Sequence, residues 1–330
     1  MFSQFFRGVF TSVLILFFSV VVFAKDSEFR GIWISDPTHL NWKTVVADVK
    51  KAKLNAIFVN FASAGASFFP NKLLPYIQPD QPLSELLRLA HKEGIHVHAK
   101  ILTFFMHWVS KDQMKKMIQQ GRVLKNMQGK VVFQSETPWL DPAQAENQEL
   151  MQKVISEILN RYSVDGLQLD YIRYFEENDV PPSIMRIRQM IINRFVSKTA
   201  QLVKKIRPQA RYSACVFYNL RRAQNEMGQD WENWIQQGLF DFLCPMNYTT
   251  QPKELSKWIR EQIRIQKGRT PLYSGLGAYM DLMTSDILIQ EIETVRHHAL
   301  PGFVLFSYNP KFVKNIINTH ALSKVLDHSM

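Results

Sequence analysis

One pattern governs what this chain can become: a short apolar, β-rich run followed by a stretch of helical periodicity, repeated eight times after the first thirty or so residues. The runs are Phe29–Ser35, Ala56–Ala62, His96–Thr103, Gly166–Arg173, Arg211–Phe217, Asp241–Tyr248, Pro271–Ala278 and Gly302–Tyr308. Most are near-continuous in apolar character, as strands are when both sheet faces are covered. Between them, Thr44–Leu54 gathers Val45, Val49 and Ala52 on one side. Asn147–Tyr162 stripes Leu150, Met151, Val154, Ile158 and Leu159. Pro82–Glu93 stops at Gly94, Asp230–Gln237 runs up to Gly238, and Thr284–Ala299 opens with Thr-Ser-Asp capping chemistry. Alternating strands and helices predict a parallel sheet, and eight units close into an α/β TIM barrel of one domain, residues 25–330. An open doubly wound sheet is disfavoured, because no Gly-rich phosphate loop follows the first strand.

Ahead of the barrel, Arg7 precedes an uncharged run from Gly8 to Ala24, and Val22-Phe23-Ala24 lies before Lys25. Positive end, apolar middle and small residue form a signal-peptide layout over residues 1–24, so export to the periplasm or cell exterior is expected, with membrane attachment only through an uncleaved leader. The net charge of +11 suits an anionic partner. No dense Lys/Arg block or nucleic-acid motif accompanies it, so no nucleic-acid partner is expected. The two cysteines, Cys215 and Cys244, sit in apolar runs and read as buried free thiols.

In a barrel of this kind the reactive groups stand at the C-terminal ends of strands. Asp165 and Asp241 begin strands and read as structural. Asp170 ends Gly166-Leu167-Gln168-Leu169-Asp170, on the same side as Gln168. A carboxylate there needs a partner or a function, and Arg173 is the nearest cation in sequence. The insertion Phe104–Pro142, with a hairpin tip at Gln128-Gly129-Lys130, is placed to shape a cleft.

Five segments then resemble the glycosyl-hydrolase-like family 10 barrels: Arg30-Gly31-Ile32-Trp33-Ile34; Val97-His98-Ala99; Asp165 through Tyr174; Gly228-Gln229-Asp230-Trp231; and Asp241 through Tyr248. The resemblance spans Phe29 to about Tyr308, and the fourth-strand motif is its most specific part. It implies an exported barrel that hydrolyses glycosidic bonds in bacterial polysaccharide, with peptide-free peptidoglycan strands as the substrate class. Chitinase-type barrels carry an acid two residues beyond the last Asp of a similar strand; here Ile172 stands there, so a substrate-assisted mechanism is disfavoured.

Glycoside hydrolysis takes two carboxyl groups. Asp170 is the first candidate. Asp230 is preferred as the second because the family motif matches there, with a helix cap as its competing role. Asp36, Glu176, Glu177 and Asp179 are further candidates. His98 and Lys100 share one side of strand three; with Asn60, Tyr171, Arg173, Asn247, Tyr248 and Tyr308 they form the expected substrate-binding set, in a cleft also offered Trp108, Trp139, Tyr174 and Tyr218 as sugar-stacking surfaces. His96 and His98 invite a metal reading, yet no acidic set joins them, so neither metal nor cofactor is expected. Two alternatives stand beside the hydrolase: a catalytically silent glycan-binding barrel, and a metal-dependent deacetylase or amidase of the same polymer.

Overall fold

The computed structural model describes residues 28–177, 179–317 and 322; the leader read at residues 1–24 lies outside the described residues. Eight parallel strands close into a barrel: β1 Phe29–Ile34, β2 Ala56–Ser63, β3 His96–Leu102, β4 Gly166–Asp170, β5 Arg211–Phe217, β6 Phe242–Met246, β7 Ser274–Leu276 and β8 Gly302–Phe306. They neighbour one another in chain order, and β8 closes on β1 with Trp33 opposite Phe306. The predicted TIM barrel is the observed fold.

The surrounding helices are α1 Trp42–Lys51, α2 Leu83–Lys92, α3 Lys111–Gln119, α4 Ala145–Arg161, α5 Pro182–Ile206, α6 Leu220–Met227, α7 Trp231–Gln236, α8 Pro252–Gln266 and α9 Ser285–His297. Local chemistry sets their ends. Asn41 and Thr284 accept backbone N–H groups at the starts of α1 and α9, and Gly94 follows α2 at a positive φ of 69°. Each helix turns its apolar stripe to the sheet, as α4 does with Met151, Val154, Ile155, Ile158 and Leu159, all buried. Burying side chains of this size contributes about 1.5–3 kcal/mol apiece. Among the described residues no helix is long and apolar enough to cross a membrane.

Strand β4 ends at Asp170, three residues earlier than the apolar run suggests. The cause is local: Tyr171 adopts φ 50° and its N–H donates to Asp170 Oδ1 at 2.8 Å, which turns the chain out of the sheet. The insertion after β3 folds back over the barrel. Its tip at Gly129 is a turn closed between Lys125 and Val131. Beyond it, Phe133–Gln134 pairs with Thr137–Pro138 across Ser135 and Glu136, both at positive φ.

Inside the barrel, inward side chains stack to a solid plug. Phe29, Phe58, Phe242 and Tyr273 pack with Trp33, Cys215, Cys244 and Val304 in one apolar cluster. Gln168 crosses it, accepting from Trp33 Nε1 at 2.6 Å and from the Cys215 thiol at 3.3 Å, and donating to Cys244 Sγ at 3.4 Å. Both cysteines are buried and free, and burial pushes their thiols up. The plug leaves a cavity at each end of the barrel.

Candidate active site

At the C-terminal ends of the strands a cavity of about 530 Å³ opens, and Asp170 lines it. The period-two rule brings Lys100, near the end of β3, to the same interior. Its Nζ donates to Asp170 Oδ2 at 2.9 Å, with the side chains only 3% and 11% exposed. Burial works against the ammonium, but the Asp170 carboxylate outweighs it and raises the Lys100 pKa, so the lysine keeps its proton. The partner of Asp170 is therefore Lys100 rather than Arg173. The Arg173 guanidinium lies over the rings of Trp139 and Tyr171, at 4.9 and 5.3 Å, and donates to the Tyr174 carbonyl.

The second carboxylate of the cavity is Asp36, the second residue beyond β1. Its Oδ1 accepts from Thr38 N at 2.9 Å and Thr38 Oγ1 at 2.6 Å. Facing the same space is His107, whose ring stacks on Phe105 and abuts Trp108. Burial lowers the His107 pKa; the Asp36 charge raises it and Lys100 lowers it, which places the imidazole within the field of both. Aromatic walls complete the cleft: Phe105, Trp108, Tyr171, Tyr248, Tyr279 and Phe306. Lys100 Nζ sits 5.9 Å from the Phe306 centroid. Asn60 also reaches the cavity, donating to the Ser35 carbonyl while its buried Oδ1 has no described partner. Gln134, carried by the short ribbon of the insertion, lies at the rim.

The mouth thus collects Asp170, Lys100, Asn60, Tyr171, Arg173 and Tyr248 from the sequence-derived set. The others are elsewhere. His98 faces the barrel interior two residues below Lys100, one short strand step from the mouth but on the other side of the plug; it packs against Phe58, with centroids 4.5 Å apart, and lines the opposite cavity. Asn247 is buried with its amide engaged by Gln262 and Ser274, which ties β6 to α8 and β7. Tyr308 lines an adjoining groove that shares Ser35 and Asp36 with the mouth, and its hydroxyl donates to Asp48 at 2.7 Å. Asp230 caps α7, accepting from Asn233 N and from Gln224 Nε2, and does not line the cavity. Glu176 and Glu177 pair with Arg222 and Arg188 beside a neighbouring pocket that Asp179 also lines.

Sequence reasoning passed over His107. The signal was present: it is the lone titratable residue of Phe104-Phe105-Met106-His107-Trp108, just past β3, where barrel loops feed the cleft. Among the described residues no group of three or more His, Cys, Asp or Glu side chains is arranged to hold a metal ion.

A family model described as glycosyl hydrolase-like 10 matches residues 28–181 and 176–283. The chain is 24% identical over 330 residues to glycosyl hydrolase DigH of Escherichia coli strain K12, covering 77% of this chain and 74% of that one. It is 20% identical over 376 residues to glycosyl hydrolase YngK of Bacillus subtilis, covering 91% and 73%. Among solved structures, an endo-beta-1,4-mannanase from Thermotoga petrophila superposes with a TM-score of 0.66 at 11% identity, covering 93% of this chain and 77% of that one. Alpha-L-fucosidase isoenzyme 2 from Paenibacillus thiaminolyticus gives 0.66 at 12% identity over 91% of this chain, which spans about half (49%) of that one. At such identities these two likenesses show the fold alone.

Proposed function

Since the chain belongs to the glycosyl hydrolase-like 10 family and is a TIM-barrel glycoside hydrolase, we propose that it cleaves a sugar polymer in the cleft at the strand ends, with Asp170 and Asp36 as its two carboxyl groups. One observation carries this reading: a single cavity at the C-terminal face holds both carboxylates between aromatic walls.

The roles follow from surroundings. Asp170 faces a protonated Lys100 and a backbone N–H, so it takes the charged role, base or nucleophile. Asp36 stands nearer solvent and is assigned the proton-donor role. His107, kept neutral by burial and by Lys100, accepts or donates a hydrogen bond beside Asp36 without adding charge. Sugar rings stack their C–H faces on Tyr248, Phe306 and Trp108, while Asn60 Oδ1 offers an acceptor to a hydroxyl.

The finer proposal is an extracytoplasmic polysaccharide, peptide-free cell-wall glycan in particular. The leader layout at residues 1–24, the net charge of +11 and the family resemblance support it. Purified peptide-free glycan strands provide the test. The protein should generate new reducing ends, unaffected by chelators, and Asp170→Asn and Asp36→Asn should each retain binding while losing turnover. Binding by the unsubstituted protein with no new reducing ends would make it a glycan-binding barrel. Full activity in Asp36→Asn would remove that residue from the mechanism.

A further inference from the structure

The opposite end of the barrel holds the larger cavity, about 760 Å³, at the N-terminal ends of the strands. One carboxylate, Asp165, lines it, and its bonding capacity is already engaged: Oδ2 accepts from Val97 N at 2.7 Å and lies 2.8 Å from His91 Nε2, and Oδ1 lies 3.7 Å from His96 Nδ1. Burial opposes the charge of Asp165, yet the bonds from His96, Val97 and His91 hold its pKa well below the carboxylate range. The cations are in a different condition. Arg211 donates to Tyr273 Oη at 2.9 Å and lies 4.4 Å over the Phe242 ring. The Arg207 guanidinium donates only to the Leu159 carbonyl, at 3.1 Å. Neither guanidinium meets a carboxylate among the described residues, although both line this basin.

A second observation points the same way. His98, 1% exposed, lines the basin, and its ring makes no hydrogen bond to any described residue. The ring fits only because Gly166 faces it: a Cβ there would meet Nδ1 at 2.1 Å. Buried polar groups are normally bonded, and guanidinium groups are five-donor forks suited to planar or tetrahedral oxyanions.

We propose that this basin is a second ligand site, which binds a small oxyanion of the phosphate or carboxylate class between Arg207 and Arg211, with the His98 imidazole beneath it. The plug of Phe58, Trp33 and Gln168 separates it from the glycan cleft, so the two sites load independently.

Calorimetric titration of the full chain with inorganic phosphate, and separately with acetate, tests this, with sodium chloride at matched ionic strength as the control. Saturable one-site binding of phosphate, of acetate or of both is expected, and the arm that binds more tightly identifies the headgroup. Affinity should fall about tenfold or more in Arg211→Gln and in Arg207→Gln, and should be unchanged in Asp170→Asn. Should Arg211→Gln fail to fold, Arg207→Gln with Arg211→Lys carries the same comparison. A response that chloride reproduces, or binding that survives both arginine substitutions, would overturn the proposal.

Discussion

The two ends of this barrel are built alike and behave differently. Each holds a cavity, and in each an aspartate from the β4 segment stands among basic side chains: Asp170 with Lys100 at the mouth, Asp165 with His91 and His96 at the base. At the mouth the pair is nearly dry and shares its space with a second carboxylate and six aromatic side chains. At the base the aspartate caps the backbone of a neighbouring strand, and the surplus charge is positive. Size would favour the base, at about 760 Å³ against 530 Å³. What an end can do is set instead by whether its carboxylate is committed to holding strands together.

The same substitution made at both ends gives the largest contrast. Asp170→Asn should lower kcat by about three orders of magnitude, within the range for removal of a catalytic acid or base, and, because it strands the buried Lys100 ammonium, should also cost about 3–5 kcal/mol of stability. Asp165→Asn should leave turnover intact and cost only about 1–3 kcal/mol of stability, through its lost charge-assisted bonds. Reducing-end assays paired with denaturant titrations read both; equal losses of turnover at the two ends would dissolve the distinction.

Next in size is the counter-charge. Lys100→Met leaves Asp170 without a cation in a buried setting, which typically costs about 3–5 kcal/mol. The molecules that still fold should turn over more slowly, because the Asp170 carboxylate loses the cation that holds it in place. Lys100→Arg should restore both stability and kcat. An unchanged kcat in the folded fraction of Lys100→Met would mean that Lys100 does not serve the carboxylate.

The contrast between the ends also explains what the sequence disclosed. Strand alternation and helix periodicity reported the barrel because burial repeats at fixed periods, and Asp170 stood out as an acid closing an apolar run. Period-two reasoning placed His98 and Lys100 on one side of β3 correctly. It carries no information on height along the barrel axis, and the plug lies between them. The segment Gly228-Gln229-Asp230-Trp231 drew attention as a motif, yet every one of its residues serves the fold. Gly228 ends α6 at φ 65°, buried Gln229 ties the segment after β4 to the end of β5, Asp230 caps α7, and Trp231 is core. Asn247 is the same case. Asp36 carried no pattern beyond its position, and its companionship with Asp170 depends on β1 and β4, three places apart round a closed ring, opening on one mouth, which only the three-dimensional closure provides.

Two histidines of β3 sharpen the base further, through opposite responses to pH. His98 is buried against aromatic rings, and desolvation, with Arg211 adding to it, brings its pKa down to about 3. Its folded form therefore binds fewer protons than its unfolded form below about 6.5. Stability is full above that value and falls by about 1.4 kcal/mol per pH unit as pH drops toward 3. The His96 pKa is raised by the Asp165 carboxylate, so its contribution is present below about 6.5 and is lost as pH rises through its folded value. Denaturant titrations between about pH 4 and 8 should show an acid slope that His98→Leu flattens, and an opposing contribution that Asp165→Asn removes. An acid slope unchanged in His98→Leu would mean that the ring is hydrated and titrates normally.

The smallest effect tests Asp230, where sequence pattern and geometry part. As the cap of α7 it accepts the Asn233 N–H at 3.4 Å and the Gln224 amide at 2.8 Å. Asp230→Ala should cost about 1 kcal/mol, the usual loss for an N-cap, and Asp230→Asn, which keeps a capping oxygen, nearly nothing. Neither should alter kcat, because the carboxylate does not line the mouth cavity. The Asn variant separates the two roles cleanly: it preserves the cap and removes the charge. A fall in kcat by orders of magnitude there, with stability unchanged, would transfer the second catalytic role from Asp36 to Asp230, and would require the α6–α7 segment to swing toward the cleft when glycan binds.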